Sequence, residues 1–86
     1  MPDYRNHQEI IENGITEGLF RPEINPDLAN RCLFNLGISI MNNDLYPYDQ
    51  FTRRDVIRNI FINYLRGIST QKGLLLIDSL EVKFLD

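Results

Sequence analysis

Phe51-Thr52-Arg53-Arg54-Asp55-Val56-Ile57-Arg58-Asn59-Ile60-Phe61-Ile62-Asn63-Tyr64-Leu65-Arg66-Gly67-Ile68 is the stretch on which the fold turns. Ile57, Ile60, Phe61, Tyr64, Leu65 and Ile68 fall at i, i+3, i+4, i+7, i+8 and i+11, the repeat of one helical face. The start is equally marked. Thr52 supplies an N-cap oxygen, Asp55 completes a Thr-x-x-Asp capping box, and Phe51 and Val56 are spaced as a hydrophobic staple. A helix from Thr52 to Ile68 rises about 25 Å, with Gly67 near its end.

Upstream, Leu45 to Phe51 carries Pro47 between Tyr46 and Tyr48 and reads as a loop with aromatic anchors. The helix before it has a clear beginning: Asn25 caps, Pro26 takes the first helical position, and Asp27 meets the positive end of the dipole. From Leu28 to Met41 it carries two apolar stripes, Ala29, Cys32, Leu33, Leu36 and Ile40 on one side and Phe34, Ile38 and Met41 on another. Two stripes mean packing on two sides. Asn42, Asn43 and Asp44 end it.

The first helix spans Asp3 to Glu17, capped by Asp3 or Asn6, with Ile11, Ile15 and Leu19 at spacing four and Gly18 as a C-terminal stop. Gly14 lies on the same side, where a glycine in a helix implies a close neighbour, and Arg21 before Pro22 is extended. Downstream of Ile68, a short fourth helix is expected from Gln71 to about Leu80, with Glu81 to Asp86 fraying. Its run Leu74-Leu75-Leu76-Ile77 suits a buried strand as well, but no other segment offers a strand partner. The expected fold is therefore all-α, one domain over residues 1–86: three long helices plus a short C-terminal one.

Eighty-six residues make one small domain with a modest core, so a partner chain's help is a natural expectation. Hydrophobic residues are 43% and charged residues 24%, a globular balance rather than a disordered one. No apolar run is long enough to cross a membrane, and no basic-then-apolar leader opens the chain, which points to the cytoplasm. A net charge of −3 without a basic run argues that these residues do not themselves hold DNA. Cys32 is the single cysteine, so neither an intrachain disulfide nor a cysteine-rich zinc site is available.

Three blocks carry a family pattern. They are Ile10-Ile11-Glu12-Asn13-Gly14-Ile15-Thr16-Glu17-Gly18-Leu19-Phe20-Arg21, then Asn25-Pro26-Asp27-Leu28-Ala29, then Tyr64-Leu65-Arg66-Gly67-Ile68-Ser69-Thr70-Gln71-Lys72-Gly73. In this order and spacing the stretch from Glu9 to Asp78 resembles the C-terminal regulatory domain of TetR-like (tetracycline-repressor-type) transcriptional regulators. The resemblance implies a homodimer in which the last two long helices pair with their copies as a four-helix bundle. It implies a mostly apolar pocket for a small effector, and operator DNA held by an N-terminal helix-turn-helix domain that these residues lack.

Candidate residues follow, each with an ordinary alternative. The stripe Ile57, Phe61, Tyr64 and Ile68 serves either an intrachain core or a dimer seam; with the resemblance, Leu33, Gly37 and Ile40 against Ile57, Phe61 and Tyr64 form the expected seam. Phe20, Phe34, Ile38 and Met41 line either a remnant of the effector pocket or plain core. His7 lies near Glu9 and Glu12 but lacks a second ligand at metal spacing, so no metal or other cofactor is expected. Cys32 is expected as a buried, inert thiol. Arg53, Arg54, Arg58 and Arg66 form a basic side expected to pair with acidic neighbours rather than with a DNA backbone. Ser39, Thr52 and Asp49 form no triad, there is no Gly-x-Ser-x-Gly elbow, and no enzyme is expected. Gly14-x-x-x-Gly18 lacks the lysine of a phosphate loop. A free-standing helical interaction module, using the same apolar stripes, is the alternative function.

Overall fold

A computed structural model describes residues 8–84 of the chain, all helix and connector. The expected caps Asp3 and Asn6, and His7, lie outside the described residues. Helix α1 is Gln8–Thr16 and α2 is Pro26–Ser39. The third helix, α3, opens as α-helix over Arg53–Val56, widens to a π-helix over Ile57–Ile62 and returns to α over Asn63–Ile68. Helix α4 is Gln71–Phe84. Helix α1 packs on α2, α2 on the π segment of α3, and the last part of α3 on α4.

Local chemistry sets the ends. Asn25 accepts the Leu28 N–H on its side-chain oxygen at 3.1 Å and Thr52 accepts that of Asp55 at 3.0 Å, so both expected caps are in place. Gly18 has φ +78° and closes α1 as a Schellman turn: its own N–H reaches the Ile15 carbonyl (3.0 Å) and the Leu19 N–H reaches that of Gly14 (2.8 Å). Asn42 accepts the N–H groups of Asp44 and Leu45, and Asn43 that of Tyr48, so two asparagines bend the chain out of α2. Arg53 ties this loop to α3. Its guanidinium donates to the carbonyls of Ile40, Tyr46 and Phe51 and lies 4.1 Å over the Tyr48 ring.

The two remaining connectors clasp each other. Phe20 and Ser69 form a single antiparallel bridge, the Arg21 N–H reaches the Ile68 carbonyl (2.9 Å), and the Thr70 N–H reaches that of Leu19 (2.9 Å). Thr70 Oγ1 donates towards the Gly18 and Leu19 carbonyls and accepts the Gly73 N–H at the start of α4. Lys72 Nζ donates to the Glu17 carbonyl at 2.9 Å, a cation at the negative end of α1. Two glycines make this closeness possible. A Cβ on Gly73 would stand 2.1 Å from the Leu19 oxygen, and one on Gly14 would stand 2.5 Å from the Phe20 ring.

The fourth helix runs four residues past the expected end at Leu80 and is as long as α2. Glu81, expected to fray, is held from another helix: Arg66 donates to Asp78 and to Glu81, the latter at 2.9 Å.

The core is thin. The molecule measures 40 × 31 × 18 Å, a flattened slab. Its radius of gyration of 13.6 Å exceeds the ~12 Å of a compact chain this size. Among the described residues only Ile11, Ala29, Val56 and Ile68 are buried apolar residues, each at 5% exposure or less. Meanwhile Ile10, Leu28, Ile38, Met41, Leu75, Leu76, Leu80 and Val82 are among the large apolar residues at least 45% exposed.

Candidate apolar cavity and groove

Where α1, α2 and α3 meet, a cavity of about 400 Å³ opens, within the usual range for small-molecule sites. Ile10 and Ile11 come from α1, Leu33, Phe34, Gly37 and Ile38 from α2, and Phe61 from the π segment. Ile11 is buried while Ile10 stands exposed at the rim. Gly37 keeps the space open, since a Cβ there would meet nothing within 4 Å. The one polar side chain in the wall is Asn30, which is buried and already engaged within the chain. No titratable group stands in its wall, so its surface is almost wholly apolar.

This cavity mixes the two expected sets. Leu33, Gly37 and Phe61 of the expected seam and Phe34 and Ile38 of the expected pocket line the same space. The others are placed elsewhere. Phe20 packs on Gly14 and faces α4. Met41 is exposed beyond the end of α2, with its carbonyl accepting the Tyr48 hydroxyl at 2.8 Å. Ile40 gives its carbonyl to Arg53. Tyr64 meets Cys32 across the α2–α3 contact, and burial, followed by the hydrogen bond and charge interaction with Cys32, pushes its hydroxyl above the ordinary tyrosine value. Cys32 is half-buried and free of any disulfide. Ile10, Ile11 and Asn30 were not among the expected lining. The signal for Asn30 is its position three and four residues before Leu33 and Phe34, which puts it on their side of α2.

A second apolar space lies on the other side of α3. Ile57, Phe61, Ile62 and Leu65 face Ile77 and Leu80 of α4 across about 280 Å³. It continues past Leu65, Ile77 and Leu80 towards Leu19, Phe20 and Leu76. Phe61 therefore stands in the wall of both spaces.

The expected basic side of α3 is divided. Arg66 pairs with Asp78 and Glu81, which raises its pKa further, whereas Arg53 is spent on carbonyls and Arg54 is exposed. Among the described residues no group of three or more His, Cys, Asp or Glu is placed to hold a metal ion. No helix among them is long and apolar enough to cross a membrane. The chain matches no protein-family model, no curated protein and no solved structure.

Proposed function

We propose that this chain is the dimerisation and small-molecule-sensing part of a TetR-like transcriptional regulator acting in the cytoplasm. The observation that carries the proposal is the unfinished core. Four helices lie in a slab 18 Å thick and leave long apolar side chains exposed on α2 and α4, so a second apolar layer is needed to complete the packing. A second copy supplies that layer in a self-complementary way. The cavity between α1, α2 and α3 takes a small apolar effector, and DNA is contacted by a separate helix-turn-helix part of the regulator. Effector and operator are then coupled because each prefers one arrangement of the dimer.

The test is the solution mass of the 10.1 kDa chain by size exclusion with light scattering over a concentration series. A species of about 20 kDa that Leu75→Glu, made on the exposed apolar face of α4, dissociates is the expected result. A folded monomer at high concentration would remove the dimer seam and leave the second reading, an interaction module for a different chain. That reading draws on α4, where Leu75, Leu76, Leu80 and Val82 are exposed along one short helix beside the α3–α4 groove.

A further inference from the structure

The π segment of α3 has unusual surroundings. It is bracketed by two of the few buried apolar residues, Val56 before it and Ile68 beyond it, yet none of its own six residues is buried. Open space borders it on several sides: the α1–α2 cavity at Phe61, the α3–α4 groove at Ile57, Phe61 and Ile62, and a smaller cavity under the loop at Ile60. A π turn holds one residue more than the α-helix around it; such turns are rare and frequently lie at functional sites. Close packing would lock it in place, and here close packing is missing where it would matter.

We propose that the π turn is a movable register element that couples the cavity to the groove through Phe61. Both ends of α3 are fixed. Arg53 anchors the first turn to the loop, and the clasp at Ile68 to Thr70 anchors the last. With the ends fixed, the extra residue can migrate along α3 only by turning the residues it passes, by about 100° each. Phe61 stands on the boundary, so such a turn carries its ring from one space into the other. Filling the cavity drives the ring towards α4, and filling the groove drives it back. The coupling is reciprocal, as any coupling between two sites must be. It does not depend on the regulator reading: a monomeric chain would still carry it, and a dimer could lack it.

The test fills the cavity from within. Gly37→Leu places a side chain into it without a steric conflict at Cβ. The readout is the methyl NMR spectrum of Leu65, Ile77 and Leu80, which line the groove and not the cavity. In the native register, Gly37→Leu is expected to shift these methyl signals. Deleting Asn59, an exposed residue of the π segment, returns α3 to a continuous α-helix, and Gly37→Leu should then perturb cavity residues alone. If the deletion chain does not melt cooperatively, Phe61→Leu replaces it, and loss of the ring should abolish the groove response. Shifts confined to the cavity in the native register overturn the proposal. Equal groove shifts with and without the π turn, or with and without the Phe61 ring, overturn it too.

Discussion

Replacing Gly73 by alanine puts a methyl group where the Leu19 carbonyl oxygen already is. The new Cβ would lie 2.1 Å from that oxygen and 3.1 Å from the Ser69 Cβ. An ordinary C···O approach is no closer than about 3.3 Å, so the first turn of α4 must retreat by more than ~1 Å. The Thr70 N–H to Leu19 bond, 2.9 Å in the native chain, does not survive that retreat. The Thr70 hydroxyl bond to the same carbonyl and the Arg21 N–H bond to Ile68 share the joint and go with it. Three bonds at about 1 kcal/mol each, less the ~1 kcal/mol that alanine gains over glycine in a helix, leave a net loss of about 2 kcal/mol. For a domain this size that lowers Tm by about 8–16 °C. Gly67→Ala is the control: Gly67 is exposed in α3 with nothing within 4 Å of its missing Cβ, so the same change there stabilises by up to ~1 kcal/mol. Thermal and urea unfolding followed by far-UV circular dichroism, at one fixed protein concentration, reads both signs. A Gly73→Ala chain melting at or above the parent would refute the clasp as the joint that holds α4.

Asn25→Ala removes the acceptor for the Leu28 N–H and should cost about 1 kcal/mol in the same unfolding assay, with Asn25→Gly costing much less. Arg53→Met strips the loop of its donor to Ile40, Tyr46 and Phe51; hydrogen exchange should accelerate in residues 41–51 while helical content stays near the parent's. Tyr64 has its pKa raised by burial and by Cys32, so above 10.0 the unfolded chain releases this proton more readily than the folded one. Stability is therefore lost as pH rises from 10.0 through the folded value, and Tyr64→Phe should make that alkaline loss shallower in a pH series of urea melts.

What could be read from the sequence was what neighbours along the chain decide. Asn25, Thr52 and Gly18 each act on groups within a few positions: the first two start α2 and α3, and Gly18 closes α1, where local chemistry directs. What could not be read depends on residues far apart. Glu81 belongs to a helix rather than a frayed end because Arg66, 15 positions earlier, reaches it. Gly73 reads as a poor helix former until the Leu19 carbonyl is beside it. The π turn leaves no trace in the spacing of Ile57, Ile60, Phe61 and Tyr64, which suits a plain α-helix. Nor does the spacing show that residues from the expected seam and the expected pocket share one space: Leu33 and Phe34 are adjacent on α2, and one cavity is wide enough to touch both.

The clasp between Leu19 and Thr70 joins positions 51 apart. It also divides the chain into two helical hairpins with complementary halves of one joint. The first brings the carbonyls of Gly18 and Leu19 and the amide of Arg21; the second brings Thr70 and the carbonyl of Ile68. The covalent link between the hairpins is the loop that Asn42 and Asn43 bend and Arg53 fastens. Seen this way the loop is a tether, raising the effective concentration of one half for the other rather than specifying how they fit. A chain cut within it retains every donor and acceptor of the clasp, divided between two fragments that can find each other again.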